Sequence, residues 1–301
     1  MLDISTLPCV GVEGSAGSQR TGVCQNRAHA QQLCPLAAIP TGPVAVPLRV
    51  RELTGGRALV PVWVNGLGGS TFHDPDSRPS PGFIKWVPAG TPELDLEAEA
   101  ERLAWADEHG ALVPRVLASG ADESGSWLIT AALAGESAVA PRWIAEPVTA
   151  ARAIGAGLRI LHDTLPVAEC PYSWSAAERI EQFEQRLRTG SGPSEWDPAH
   201  RHLTLADARA RLADIPDLAH PVVCHGDACA PNTLLDATGR FTAHVDLGTL
   251  GVADPWADLA IAAWSTEWNY GTGFEDLVYE GYGIEPDPAR ISYYRLLWDL
   301  S

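Results

Sequence analysis

Residues 221–236 read PVVCHGDACAPNTLLD, and residues 241–248 read FTAHVDLG. Each stretch joins a short apolar run, typical of a buried strand, to a polar loop. Asp227 and Asn232 lie five residues apart in the first loop, and Asp246 follows the second apolar run. The second strand is expected to run back beside the first loop, which would bring these three side chains together.

The chemistry that this set of side chains suits is phosphoryl transfer. Its transition state is loose and highly charged, so the protein mainly positions the acceptor hydroxyl and neutralises phosphate oxygens. In this interpretation Asp227 positions the hydroxyl and takes its proton, while Asn232 and Asp246 supply oxygen ligands to Mg²⁺. The sequence HGD alone is compatible with an ordinary surface turn, but the full spacing favours a phosphate-transfer site.

Lys85 lies in the apolar stretch FIKWV, residues 83–87. An ammonium group within a strand is costly unless it meets phosphates and a carboxylate partner. An isolated strand lysine would more often serve solubility at a sheet edge. The acidic loops downstream favour a phosphate-binding role instead.

The chain is expected to fold as an α+β protein with two lobes. Short β patterns and a helix pattern over 92–109 precede a mainly helical second half. Residues near the start lack any strand or helix period and are rich in Gly, Ser, Gln and Ala. We therefore predict three parts: a disordered or mis-assigned tail over 1–43, an N-lobe over 44–134, and a C-lobe over 135–301.

Composition limits the partners. Carboxylates outnumber Lys and Arg 38 to 21, for a formal charge of −17, which disfavours nucleic acid and favours a cationic ligand. The six cysteines form no CxxC pair and are read as reduced thiols. No apolar stretch of about 18 residues occurs, and the start has no basic region followed by an apolar run. These features predict a cytoplasmic protein without membrane or protein partners.

The HGDxxxxN run and the segment 246–260, DLGTLGVADPWADLA, resemble the aminoglycoside phosphotransferase family, whose fold is similar to that of protein kinases. The resemblance implies a small antiparallel sheet with one helix, a larger helical lobe, and ATP bound between them. It maps the catalytic base onto Asp227, an orienting role onto His225, and a brace of the catalytic loop onto Asp254. Asn232 and Asp246 become the metal ligands.

The same resemblance implies further parts of the nucleotide site. Glu99 stands six residues before Trp105, as the family's helix glutamate does before a Trp, and becomes the partner of Lys85. A glycine-rich turn fifteen residues before Lys85 is expected to cover the phosphates, and the segment LITAALAG, residues 128–135, to form the hinge against adenine. The residues assigned to these two segments are Gly69, Ser70, Thr71, Ala131 and Leu133.

The segment LHDTLPVAECPY, residues 161–172, is similar to the branch that phosphorylates a 3′-hydroxyl. That branch uses acidic side chains and a terminal carboxylate to bind the drug's amino groups, which would fall on Asp299 and Ser301. Trp298 stands where an acid is expected and Thr249 where Arg is common. The carboxylates Glu195 and Asp197 could line the substrate loop or be solvated.

The function expected from this resemblance is ATP- and Mg²⁺-dependent phosphorylation of an aminoglycoside, conferring resistance. One alternative is a kinase of the same family acting on a macrolide, a peptide antibiotic or an amino alcohol, with the same catalytic residues. The other is a nucleotide-binding protein without catalysis. The presence of Lys85, Asp227, Asn232 and Asp246 together disfavours the last alternative, because binding alone does not need the base.

Overall fold

The computed structural model describes residues 37–38, 40, 42–66, 68–91, 94–218 and 220–301. Most of the predicted tail, 1–43, lies outside the described residues. Within it, Ala37–Ala38 form a short strand, β1, that pairs with the next strand in the chain. This pairing was not expected from the sequence, because two alanines carry no strand period of their own.

A six-stranded antiparallel sheet forms the N-terminal half, in the order β1-β2-β3-β4-β6-β5. A short helix, α1, precedes β2 and packs Val50 against the outer face of the sheet. The bounds are α1 Leu48–Leu53, β2 Val60–Asn65, β3 Ser70–Asp74, β4 Gly82–Pro88, α2 Leu96–Glu108, β5 Val116–Asp122 and β6 Gly125–Ala131.

Helix α2 packs on the other face of this sheet. Its N-cap Asp95 accepts hydrogen bonds from the backbone of Glu97 and Ala98, which explains why the helix begins here. Leu96, Ala100 and Leu103 form a buried stripe against Val87 of β4. Because side chains alternate along a strand, Lys85 lies on the same face as Val87 and therefore points toward α2.

The second half of the chain is mainly helical. Helix α7 is buried along most of its length and packs against α9, α8 and the central helix α4. Small residues of α4 allow α8 to approach closely. The helices are α3 Pro141–Ala145, α4 Pro147–Thr164, α5 Ala176–Arg188, α6 Leu205–Ala213, α7 Trp256–Tyr270, α8 Glu275–Tyr282 and α9 Pro288–Leu300.

Two small sheets carry the loops of the second half. One has the order β10-β9-β7, and the other pairs β11 with β8; all of these pairs are antiparallel. The hairpin β9–β10 holds the two polar loops in register. The strands are β7 Glu136–Ser137, β8 Val222–Cys224, β9 Thr233–Leu235, β10 Phe241–His244 and β11 Gly251–Ala253.

The predicted fold class is confirmed: a small antiparallel sheet with one packed helix precedes a larger helical part with a catalytic hairpin. The division near Ala134 stays a prediction; it falls in the loop between β6 and β7. Among the described residues, no helix has both the length and the apolar character needed to cross a bilayer.

Candidate active site

Lys85 stands at the centre of an ion-pair network between β4, α2 and the loop after β10. Its Nζ lies 2.6 Å from Oε1 of Glu99 and 2.9 Å from Oδ1 of Asp246. Burial alone lowers the pKa of Lys85, but the two carboxylates outweigh it and raise that pKa overall. Burial also raises the pKa of Glu99 to about 7, against the opposing effect of Lys85. The lysine therefore stays charged and is held where a phosphate can reach it.

Asp227 lies in the loop between β8 and β9 and is tied to Asn232. The amide Nδ2 of Asn232 donates to the Asp227 main-chain oxygen at 2.9 Å and to Oδ2 at 3.2 Å. The other carboxylate oxygen, Oδ1, is buried and has no hydrogen-bond partner within the described residues. Burial, and next the nearby charge of Asp246, raise the pKa of Asp227. A carboxylate so arranged is suited to accept a proton from an incoming hydroxyl.

The ring of His225 contacts both polar loops, the one that carries Asp227 and the one that carries Asp246. Its ring Nδ1 lies 3.3 Å from the backbone nitrogen of Asp227, and its Nε2 lies 3.0 Å from the oxygen of Val245. If the Asp227 N–H donates to Nδ1, then Nε2 carries the proton and donates to Val245. The ring is fully buried. It thus fixes the position of Asp227 relative to the strand that leads to Asp246.

The loop that carries Asp227 is braced by Asp258. Its two carboxylate oxygens accept from the backbone N–H groups of His225 at 2.6 Å and Gly226 at 2.9 Å, and one also lies 3.0 Å from Nε2 of His162. Burial raises the pKa of Asp258, but the hydrogen bond and charge of His162 lower it overall. Gly226 adopts φ +87°, and a Cβ there would lie 2.3 Å from the oxygen of Thr249, so only glycine fits.

Asp258 replaces Asp254 in the bracing role expected from the sequence. The Asp254 carboxylate instead accepts from the backbone of Trp256 at 2.9 Å and pairs with Arg290. Asp254 thus accepts from the first residue of α7 and links the start of that helix to Arg290 of α9. The segment DPWADLA already contains both acids, but spacing alone does not tell which one faces the loop.

Asp258→Asn is expected to lower the free energy of unfolding by about 3 kcal/mol, because the amide nitrogen would face a backbone N–H in a buried site. Urea unfolding checks this. Asp163→Asn is the control: Asp163 pairs with Arg159 at 2.7 Å on the surface and should lose about 0.5 kcal/mol or less. Equal losses in the two variants would contradict the bracing role.

The donor atoms near Asp227 fit a small hard cation. The amide nitrogen of Asn232 donates to Asp227, so the amide oxygen of Asn232, Oδ1, is turned away from that contact. Asp246 follows β10 and has a backbone φ of +67°. Its side chain is 49% exposed. Carboxylate and amide oxygens are preferred ligands of Mg²⁺. Oδ1 of the neighbouring Asp227 is buried without a hydrogen-bond partner among the described residues. The residues present therefore suit such an ion.

One cavity of about 660 Å³ connects the sheet to this site. The glycine-rich turn borders it: the backbone nitrogen of Gly69 donates to Oδ1 of Asn65 at 2.7 Å, and a Cβ on Gly69 would lie 2.5 Å from that side chain. The predicted nucleotide residues that line the cavity are Gly69, Ser70, Thr71, Lys85 and Glu99, and the predicted catalytic and metal residues that line it are Asp227 and Asp246.

The predicted hinge residues are placed differently. Ala131 and Leu133 are not among the described residues that line the cavity. The backbone nitrogen of Ala131 donates to the oxygen of Arg115 at 2.9 Å, so this amide is already used within the sheet. Their contact with adenine stays a prediction.

The carboxylates predicted to bind substrate are engaged by the protein itself. Asp299 is 9% exposed; it accepts from the backbone of Asp197 at 3.0 Å and lies 2.7 Å from Nδ1 of His200. Ser301 does line the cavity, and its main-chain oxygen accepts from Arg186 at 2.9 Å. Glu195 is half-buried and, like Asp197 and Asp299, is not among the described cavity-lining residues.

Sequence reasoning assigned no role to several other cavity residues. Trp174, Gln182, Gln185 and Arg186 line it from α5 and the segment before it. Their spacing is that of an amphipathic helix, so the sequence offered no signal that one edge of α5 faces a cavity. This edge of α5 forms part of the wall of the cavity that Asp227 also lines.

The profile of the phosphotransferase enzyme family matches residues 66–294. An aminoglycoside 3′-phosphotransferase of Streptomyces fradiae is 34% identical, over 73% of this chain and 86% of its own length. A streptomycin 3″-kinase of Streptomyces griseus is 35% identical, over 84% and 95% respectively. The structure of an aminoglycoside phosphotransferase from Streptomyces rimosus superposes with a TM-score of 0.67 and 29% identity, covering 83% of this chain and 95% of that one. The chain belongs to the phosphotransferase enzyme family, and the predicted family is confirmed.

Proposed function

We propose that this enzyme transfers the terminal phosphoryl group of MgATP to a hydroxyl of an aminoglycoside. The observation that carries the proposal is the arrangement within one cavity of Lys85, held by Glu99 and Asp246, and of Asp227 with a buried unpartnered oxygen. The aminoglycoside kinases among the relatives support the acceptor class.

Each residue has a role that its contacts support. Lys85 pairs with phosphate oxygens and stays charged because Glu99 and Asp246 surround it. Asn232 fixes the Asp227 carboxylate, whose Oδ1 accepts the proton of the attacking hydroxyl. When bound through Asn232 and Asp246, Mg²⁺ supplies positive charge to the phosphates.

The nucleotide is proposed to be ATP. A related structure from Streptomyces rimosus, with a TM-score of 0.66 and 29% identity, is of a complex with ADP and streptomycin, which supports nucleotide binding by this chain. We keep Ala131 and Leu133 as the proposed hinge against adenine. A cytoplasmic location belongs to the same proposal, since ATP is the intracellular phosphoryl donor.

The reacting hydroxyl is proposed to be the 3′ one, as in the branch that the sequence resembles. The relatives divide on this point, because the kinase of Streptomyces griseus is named for a 3″ position and that of Streptomyces fradiae for a 3′ position. Phosphorylation of such a drug confers resistance to it, and we include that role in the proposal.

The proposal is tested by ADP release from MgATP with kanamycin, neomycin, a kanamycin analogue lacking the 3′-hydroxyl, streptomycin, a macrolide and choline. We expect turnover of kanamycin and neomycin and none of the deoxy analogue. Turnover of streptomycin alone would support the aminoglycoside acceptor class but contradict the proposed 3′ position of the reacting hydroxyl. Turnover of only the macrolide or choline would overturn the acceptor class, and no turnover with ATP bound would favour the non-catalytic alternative.

A further inference from the structure

One side chain of α2 that the proposed reaction does not use contacts the segment after Asp246. Arg102 lies three positions after Glu99 on this helix. Its Nε donates to the main-chain oxygen of Leu250 at 3.1 Å, and its Nη1 donates to the main-chain oxygen of Ala98 at 3.2 Å. One guanidinium group thus joins the turn of helix that carries Glu99 to the segment that begins at Asp246.

The segment after Asp246 forms a turn that lies against α2. The backbone nitrogen of Leu250 donates to the oxygen of Leu247 at 3.1 Å, which closes this turn, and both leucine side chains are buried with the apolar stripe of α2. A Cβ built on Gly248 would lie 3.7 Å from Cβ of Glu99, so the turn passes directly beside the glutamate. A bond that fixes Leu250 therefore fixes the chain between the two carboxylates that bind Lys85.

Tyr172 holds the guanidinium group from a third direction. The Cζ of Arg102 lies 4.7 Å from the centroid of the Tyr172 ring, within the range of a cation–π contact. The main-chain oxygen of Tyr172 accepts from the nitrogen of Val252 at 2.9 Å, and Val252 lies in β11, which pairs with β8. Strand β8 leads into the loop that carries Asp227, so Arg102 rests on the same framework as that loop.

Lys85 keeps both of its partners only if α2 and the turn after β10 are correctly spaced. Its Nζ lies 2.6 Å from Oε1 of Glu99 and 2.9 Å from Oδ1 of Asp246, although the two carboxylates belong to elements far apart in the chain. Apolar packing brings these elements together, but it is non-directional and does not set such distances. The hydrogen bond from Arg102 to Leu250 is directional and joins the same two elements.

We propose, as an extension that rests on the proposed function, that Arg102 is a positioning residue for the nucleotide site. It holds α2 and the turn after Asp246 at the spacing that lets Glu99 and Asp246 share Lys85, and so keeps Lys85 and Asp246 in place for MgATP. Arg102 is not among the described residues that line the cavity, so it acts through these carboxylates and not by touching the phosphates.

Arg102→Met tests this role, because it removes the guanidinium group and retains an apolar stem beside Tyr172. We expect it to weaken binding of a non-hydrolysable MgATP analogue by about tenfold, measured by titration without any acceptor. Arg209→Met is the control: Arg209 pairs with Glu184 at 2.7 Å on the surface, so its loss should leave this affinity within about twofold. Urea unfolding checks that each variant is folded. If Arg102→Met is not, Arg102→Lys takes its place, since an ammonium group keeps the charge but cannot reproduce the two-directional bonding of the guanidinium.

The same measurement in a Glu99→Gln background separates positioning from a general contribution to stability. Glutamine offers Lys85 no charge, so the spacing that Arg102 maintains matters less to the nucleotide. We expect Arg102→Met to weaken binding of the analogue in this background by about threefold or less. A residue that only stabilised the fold would weaken binding by the same factor in both backgrounds.

The outcomes separate this inference from the proposed function. An affinity of Arg102→Met within about twofold of wild type, or equal losses in the two backgrounds, would overturn the role of Arg102 and leave the proposed function in place. Absence of turnover with every aminoglycoside would overturn the proposed acceptor. The titrations need no acceptor, so they would still decide whether Arg102 positions the nucleotide site.

Discussion

Asp227→Asn is expected to lower kcat by about a thousandfold while leaving nucleotide affinity within about twofold. The substitution keeps the shape of the side chain and the contact with Asn232, but it removes the carboxylate that is proposed to accept the proton at Oδ1. Because Lys85, Glu99 and Asp246 are unchanged, the phosphates should still bind. Steady-state kinetics and titration with a non-hydrolysable ATP analogue measure the two quantities.

Asp107→Asn is the control for this change. Asp107 is exposed on α2 and outside the described cavity-lining residues, so its loss of charge should leave kcat and affinity unaltered. Activity of Asp227→Asn within about tenfold of wild type would contradict the assignment of the base, since a general base contributes at least about a hundredfold.

In the wild type, Mg²⁺ is expected to raise nucleotide affinity by about a hundredfold. Asp246→Asn is expected to abolish this gain and to reduce turnover to background. An amide in place of the carboxylate removes one negative charge from the proposed ion ligands and one partner from Lys85. Binding of the ATP analogue is measured with Mg²⁺ and with a chelator.

Binding in the chelator is the internal control, because without the ion the two proteins should differ much less. The Asp107→Asn variant should show the full effect of Mg²⁺. If Asp246→Asn retained that full effect, Asp246 would be removed from the ion site, and its role would be limited to the contact with Lys85.

Much of the fold was predictable because its signals are local. The helix pattern over 92–109 lies within one segment, and the structure has α2 there with Leu96, Ala100 and Leu103 buried together. The assignment of Glu99 as the partner of Lys85 came from the resemblance. Strand β1 and helix α1 were missed for the opposite reason. Two alanines and a six-residue helix owe their structure to the sheet edge and the outer face of the sheet that they cover.

The site divides in the same way. The loop residues Asp227, Asn232 and Asp246 are close in sequence and lie on one hairpin, so their spacing predicts their proximity. The brace by Asp258 and the engagement of Asp299 by His200 depend on contacts across 32 to 99 residues of chain. No pattern within one segment reports such long-range partners.

The acceptor side was therefore the least predictable part of the site. A resemblance supplied Asp299 and Ser301 as ligands, but burial and hydrogen bonding decide which groups reach a cavity. Trp298 lines the cavity and Asp299, its neighbour on α9, is not among the described lining residues. A one-residue step along a helix turns a side chain by about 100°, so adjacent positions face different surroundings.

The central claim is that a hydroxyl attacks ATP with Asp227 as its base, and the most direct measurement is analysis of the product. Wild type and Asp227→Asn would each be incubated with MgATP and neomycin, and the drug examined by mass spectrometry and phosphorus NMR. We predict one phosphoryl group on a single hydroxyl with wild type and none over the same time with the variant. The account would be contradicted if a wild-type enzyme that binds ATP left the drug unmodified. It would also be contradicted if both proteins gave equal amounts of product.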